Sequence, residues 1–72
     1  MEREKFGIYL NVKQLKVVRI NSSYWIPSGK EWVFITPEVN ATLLNIRELV
    51  RQRKLVNQPD KIVWGSITEF KK

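Results

Sequence analysis

Apolar and polar positions alternate at the start of the chain, with Phe6, Ile8, Leu10 and Val12 set against Gly7, Tyr9, Asn11 and Lys13. A period of two marks a half-buried strand. Gln14 then marks a bulge or turn. Leu15-Lys16-Val17-Val18-Arg19-Ile20 continues in β-branched residues, either as a second strand or as the first strand bent by a bulge. A helix competes over residues 12–19, because Asn11 and Gln14 stand at capping-box spacing and Val12, Leu15 and Arg19 would share a helical face. The Val17-Val18-x-Ile20 content favours strand.

Asn21-Ser22-Ser23 reads as a turn. Tyr24-Trp25-Ile26 and Glu31-Trp32-Val33-Phe34-Ile35 then form a hairpin around Pro27-Ser28-Gly29-Lys30, which suits a type I turn followed by a left-handed glycine. The second of these strands is apolar on both faces, Trp32 and Phe34 on one and Val33 and Ile35 on the other, which predicts a central place in a sheet. Thr36-Pro37-Glu38 carries a cap, a first-turn proline and an acid at the positive dipole end, so a helix is predicted over about 37–54. At about 100° per residue, Val39, Leu43, Ile46 and Val50 fall in one narrow stripe, flanked by Leu49. A turn at Asn57-Gln58-Pro59-Asp60 leads into a last strand from Ile62 to about Thr68 or Phe70. The predicted order is β–β–β–α–β. The fold class is α+β: a small twisted antiparallel sheet of three to four strands with one helix packed on one face.

Composition narrows the chemistry more than the fold. Seventy-two residues make one small domain, with residues 1–5 and 71–72 expected to fray. At 43% apolar and 28% charged the chain has ordinary globular values. Such a chain buries only about 60% of its unfolded surface, and without cysteine no disulfide supplements that core. The absence of both histidine and cysteine removes the usual zinc, haem and iron–sulfur ligand sets, thiol chemistry and histidine acid–base catalysis. No metal or cofactor is expected. No apolar run approaches a membrane span, and no apolar stretch of the signal-peptide kind follows Met1-Glu2-Arg3-Glu4-Lys5, so a cytoplasmic location is the expectation. Asn21-Ser22-Ser23 and Asn40-Ala41-Thr42 match the glycosylation pattern but read as turn and cap chemistry.

Catalysis has little to build on. The seven acids include no D-x-D or E-x-x-E pair, and Glu38 and Glu48 fall on helix flanks that only partly overlap. There is no phosphate-binding glycine loop, and the serines have no histidine to activate them. The expectation is a protein that is not an enzyme.

Charge supplies the leading candidate. The net charge is +6, with two units from Lys71 and Lys72; residues 1–5 balance, so +4 belongs to the body. On the predicted helix Arg47, Arg51 and Lys54 fall within an arc of about 60°, a row about one turn apart that can track a phosphate backbone. Arg19, Lys30 and Lys61 would assist. The competing reading is a solvated flank complementing the helix dipole. Arg53 points towards the core stripe, past the packed region or with its head group reaching out to solvent. Leu44, outside the core stripe and beside Arg51, is a candidate contact for a protein partner. Tyr24, Trp25, Trp32, Phe34 and Trp64 serve the core or stack on unpaired bases.

One helix leaves one sheet face bare. Its cover is a folded-over N-terminal strand, a second copy of the chain, or a ligand. Nucleic acid is therefore the leading expected partner, with a protein partner or homodimer as the alternative and no membrane. A three-stranded sheet followed by one helix resembles the plan of some small DNA-binding domains. The run from Gly29 to Ile35 followed by a capped helix resembles, less closely, a wing strand of small winged-helix regulators. Both likenesses are architectural and imply function only by analogy.

Overall fold

A computed structural model of the chain describes residues 6–21, 26–27 and 29–70. The expected fraying of 1–5 and 71–72, and the proposed strand at Tyr24 and Trp25, lie outside the described residues. The fold is α+β. Strands β1 (Gly7–Asn11), β2 (Lys16–Ile20) and β3 (Trp32–Thr36) are followed by helix α1 (Leu43–Arg53). A 3₁₀ turn (Pro59–Lys61), strand β4 (Val63–Trp64) and helix α2 (Ile67–Phe70) complete the described elements. The sheet order is β3-β1-β2-β4.

The competition over residues 12–19 resolves as strand, and the capping signal accounts for the turn. Asn11 Oδ1 accepts from the backbone N–H groups of Lys13 and Gln14, each at 3.0 Å. The Leu15 N–H reaches the Asn11 carbonyl at 2.8 Å, and Leu15 closes the turn at φ 57°. One helical turn forms and stops, and β2 returns antiparallel to β1 with Tyr9 opposite Val18. Asn11 is only 3% exposed and does this with a single side-chain oxygen. Replacing it with alanine is expected to cost about 1–2 kcal/mol, read as a lower urea midpoint at unchanged slope. Asn11→Asp, which keeps the acceptor, is expected to lose less.

β1 is buried along its whole length, against the half-buried strand expected from its alternation. The reason is that both sheet faces are covered. Ile8, Leu10, Val17 and Ile35 face Ile46 and Val50 of α1, joined by Ile62. Tyr9, Val18 and Ile20 lie on the other face with Trp32 and Phe34, under Ile26, Ile67 and Phe70. The predicted split of Trp32/Phe34 from Val33/Ile35 thus holds, with α1 over the Val33/Ile35 side. On the opposite side Phe70 meets Trp32 edge-on at 4.9 Å. That cover is none of the three anticipated ones; it is Ile26 together with the C-terminal segment of the same chain. Among the described residues β3 pairs with β1 alone, and the hairpin partner expected on its other side, at Tyr24 and Trp25, lies outside them. The pairing of β3 with β1 includes a register shift between Ile8 and Tyr9.

α1 begins six residues later than the predicted 37. Thr36 Oγ1 does accept from the Glu38 N–H (3.2 Å), but the chain then turns, with the Ala41 N–H on the Glu38 carbonyl (3.1 Å). Thr42 is the cap instead, accepting from the Asn45 N–H at 3.2 Å. Val39 therefore lies outside the helix, and Ile46 and Val50 carry its buried stripe. The C-terminus closes as expected near Arg53, in a Schellman arrangement: the Lys54 N–H reaches the Arg51 carbonyl and the Leu55 N–H the Val50 carbonyl.

α1 runs across one face and returns the chain to the far edge of the sheet. β4 therefore enters parallel to β2, with Lys16 opposite Val63, and the sheet is mixed rather than wholly antiparallel. The last strand ends at Trp64 instead of reaching Thr68 or Phe70. Ser66 and Glu69 start a helix there: Ser66 Oγ accepts from the Thr68 N–H and Glu69 Oε1 from the Ser66 N–H. Glu69 also pairs with Lys16 Nζ at 3.3 Å.

Its carboxyl is held below the usual carboxylate range, first by the Ser66 N–H and then by Lys16. A lowered folded-state value means stability present above the unfolded value and lost as pH falls through the folded one. Acidification below the ordinary carboxylate range is expected to loosen α2 first. Thermal melts against pH should flatten in that window for Glu69→Gln.

Candidate nucleic-acid interface

The helix flank does not survive as a free basic row. Arg47 is half-buried, and its Nε and Nη2 donate to the Ile62 carbonyl at 3.0 and 2.7 Å. It brackets the returning chain against α1. Arg51 donates to Glu48 at 2.6 Å and to Asp60 at 2.8 Å, so both carboxylates of this region converge on one guanidinium. Arg53 Nη1 donates to the carbonyls of Phe34 and Ile35, so its head group reaches across to β3. A helical wheel places these cations around an axis. It cannot show that Asp60 and Ile62 come back to meet them.

The lysines behave differently. β1 ends, and β2, β3 and β4 begin, at one end of the sheet, where α1 also finishes. Three loops meet there. Residues Val12, Leu15, Leu55, Val56, Asn57 and Gln58 line one shallow groove. The Val12 N–H bonds the Glu31 carbonyl (2.8 Å) and the Lys61 N–H the Gln58 carbonyl (3.0 Å).

Lys13, Lys30, Lys54 and Lys61 stand on these segments, all exposed. Among the described residues their ammonium groups have no ion-pair partner. The structure therefore brings Lys30, Lys54 and Lys61 of the expected set to one end, adds Lys13, and holds Arg47 and Arg51 beside them in bonds to the Ile62 carbonyl and to Glu48 and Asp60. Lys13 follows the Asn11 turn, and its signal in the sequence was its place in that turn. Of the acids on the same segments, Glu31 precedes β3 and Asp60 is held by Arg51, while Lys16 at the start of β2 is paired with Glu69.

Arg19 sits apart on β2. Its Nε donates to the Val39 carbonyl at 2.6 Å, and its guanidinium lies 4.5 Å from the centre of the Trp64 ring. Trp64 is 38% exposed and Leu44 74%.

Glu38 and Glu48, placed on different flanks by the wheel, line one cleft with Thr36, Asn40, Ala41 and Asn45. They meet because Glu38 lies on the turn before α1 rather than on the helix. Glu48 is already engaged there by Arg51 and by Gln52 Nε2. Among the described residues no group of acids is placed to hold a metal ion, and no helix is long and apolar enough to cross a membrane.

Comparison with protein-family models, curated proteins and solved structures finds no match to this chain. The architecture by itself defines a small α+β protein with a four-stranded mixed sheet and one main helix.

Proposed function

We propose that this is a small non-enzymatic nucleic-acid-binding protein of the cytoplasm that contacts phosphate through Lys13, Lys30, Lys54 and Lys61. The observation that carries this reading is the convergence of four exposed lysines, on three separate loops, at one end of the sheet. Ammonium groups on flexible stems suit a phosphate backbone, where charge matters more than fixed geometry. Lys54 adds a second support. It holds the left-handed conformation at φ 54°, where glycine is the usual residue and an L side chain costs roughly 1–2 kcal/mol. A charged residue at this C-cap places its ammonium group beside the other lysines of this end.

The test is a salt titration of the protein against a mixed DNA and RNA pool. Binding at 50 mM salt that weakens steeply with added salt supports the reading. No binding at that salt, or binding without a salt slope, overturns it. The alternative, a protein-interaction or homo-oligomer module, is favoured by Leu44, which lies exposed on α1 away from both apolar clusters. It predicts self-association or partner binding that Leu44→Ser abolishes, measured by light scattering.

A further inference from the structure

Trp64 contributes to neither apolar cluster, although a tryptophan in so small a chain would ordinarily be core. It lies on the two-residue edge strand β4, and one side of its indole is held against the Arg19 guanidinium. The guanidinium is itself anchored, since Nε donates to the Val39 carbonyl at 2.6 Å. Arg19, Trp64, Gly65, Ser66 and Ile67 line one concavity. An aromatic ring covered on one side by a fixed cation, whose terminal nitrogens are both unclaimed among the described residues, and a recess beside the pair form a stacking platform rather than a packing contact. Trp64 follows Lys61 by three residues, about 10 Å along extended chain, so the platform continues the edge that starts at the lysine end.

We infer that this concavity takes an unpaired nucleobase, stacked on Trp64, with Arg19 facing its phosphate. The ligand class is thereby single-stranded nucleic acid, because a base inside a duplex does not present its face. This inference rests on the proposed nucleic-acid reading and narrows it. The lysine end supplies sequence-independent attraction, and Trp64 supplies the preference for an open strand. Stacking on an aromatic tolerates any base, so little sequence selectivity is expected.

The experiment measures binding of an oligothymidylate and of a duplex of equal length by anisotropy, at 50 mM salt, with tryptophan fluorescence followed in parallel. The wild type is expected to favour the single strand and to show quenching. Trp64→Ala is expected to weaken oligothymidylate binding about tenfold and to leave duplex binding within about twofold. Trp64→Phe keeps a stacking ring, so it is expected to retain most of the binding while losing the quench, which covers the case of an alanine variant that folds poorly. Wild-type binding to both probes with no single-strand preference overturns the stacking site and leaves the lysine reading standing. So does an equal loss on both probes in Trp64→Ala. Binding to neither probe overturns both.

Discussion

Gly7→Ala is expected to be the most damaging single substitution in the described chain. Gly7 has φ +150°, a region L residues rarely adopt. A Cβ there would fall on the Thr36 carbonyl oxygen, 2.7 Å from Pro37 Cα and 3.0 Å from Phe34 Cε1. The first two are backbone atoms, which cannot swing away as a side-chain tip can. Backbone strain of about 1–3 kcal/mol adds to overpacking of about 1–3 kcal/mol. A domain of this size has roughly 4–11 kcal/mol in total.

Gly29→Ala is the internal control. Gly29 also has a positive φ, at +117°, but its added Cβ meets only the carboxylate of Glu31, with Oε1 at 3.2 Å. Urea unfolding should show Gly7→Ala losing about 3 kcal/mol or more, well beyond Gly29→Ala. Equal losses would mean that the corner at Thr36 and Pro37 shifts freely to admit a methyl group.

The second large effect concerns binding. Replacing Lys13, Lys30, Lys54 and Lys61 together by alanine is expected to lower the salt slope for single-stranded nucleic acid by about 3, at roughly 0.7 per phosphate contact. Replacing all four by glutamate is expected to remove detectable binding. Arg51→Ala, by contrast, frees two carboxylates from an exposed ion pair and removes no lysine, so its slope should stay near wild type.

Lys54→Gly separates the two properties at one position. It relieves the left-handed strain and should raise stability by roughly 1 kcal/mol while binding weakens. An unchanged slope in the quadruple alanine variant would place the phosphate contacts elsewhere on the surface.

The two faces of β3 and the Ile46/Val50 stripe were legible in the residues alone, because period decides which side chains share a face, although in β1 it did not foretell that both faces would be covered. So was the Asn11 turn, although capping spacing could not tell one helical turn from several. The start of α1 was not legible. Thr36 and Thr42 both accept a following backbone N–H, and only the position of the crossing helix decides which one opens it. α2 was missed although Ser66 and Glu69 stood at capping-box spacing, because the β-branched and aromatic run Ile62-Val63-Trp64 argued for continued strand.

The candidate site was legible in part. Lys30 and Lys61 follow from charge as assisting contacts, whereas Arg47, Arg51 and Lys54 follow from helix geometry, and of these three only Lys54 is without an ion pair or carbonyl partner for its side chain among the described residues. Whether an arginine is free depends on which carbonyls and carboxylates the rest of the chain delivers to it. That is long-range information a wheel does not contain.

The β4 margin of the sheet has a bearing on solution behaviour. Strand edges are templates for adding further chains. At the β4 margin the edge is two residues long before Gly65 and α2 turn it away. Growth by strand addition is thereby discouraged at that margin. A cationic protein that gathers on a polyanion reaches high local concentration, the condition under which an open edge would nucleate fibres. If the protein gathers on nucleic acid as proposed, the capped β4 margin would keep crowded copies from fusing into a common sheet.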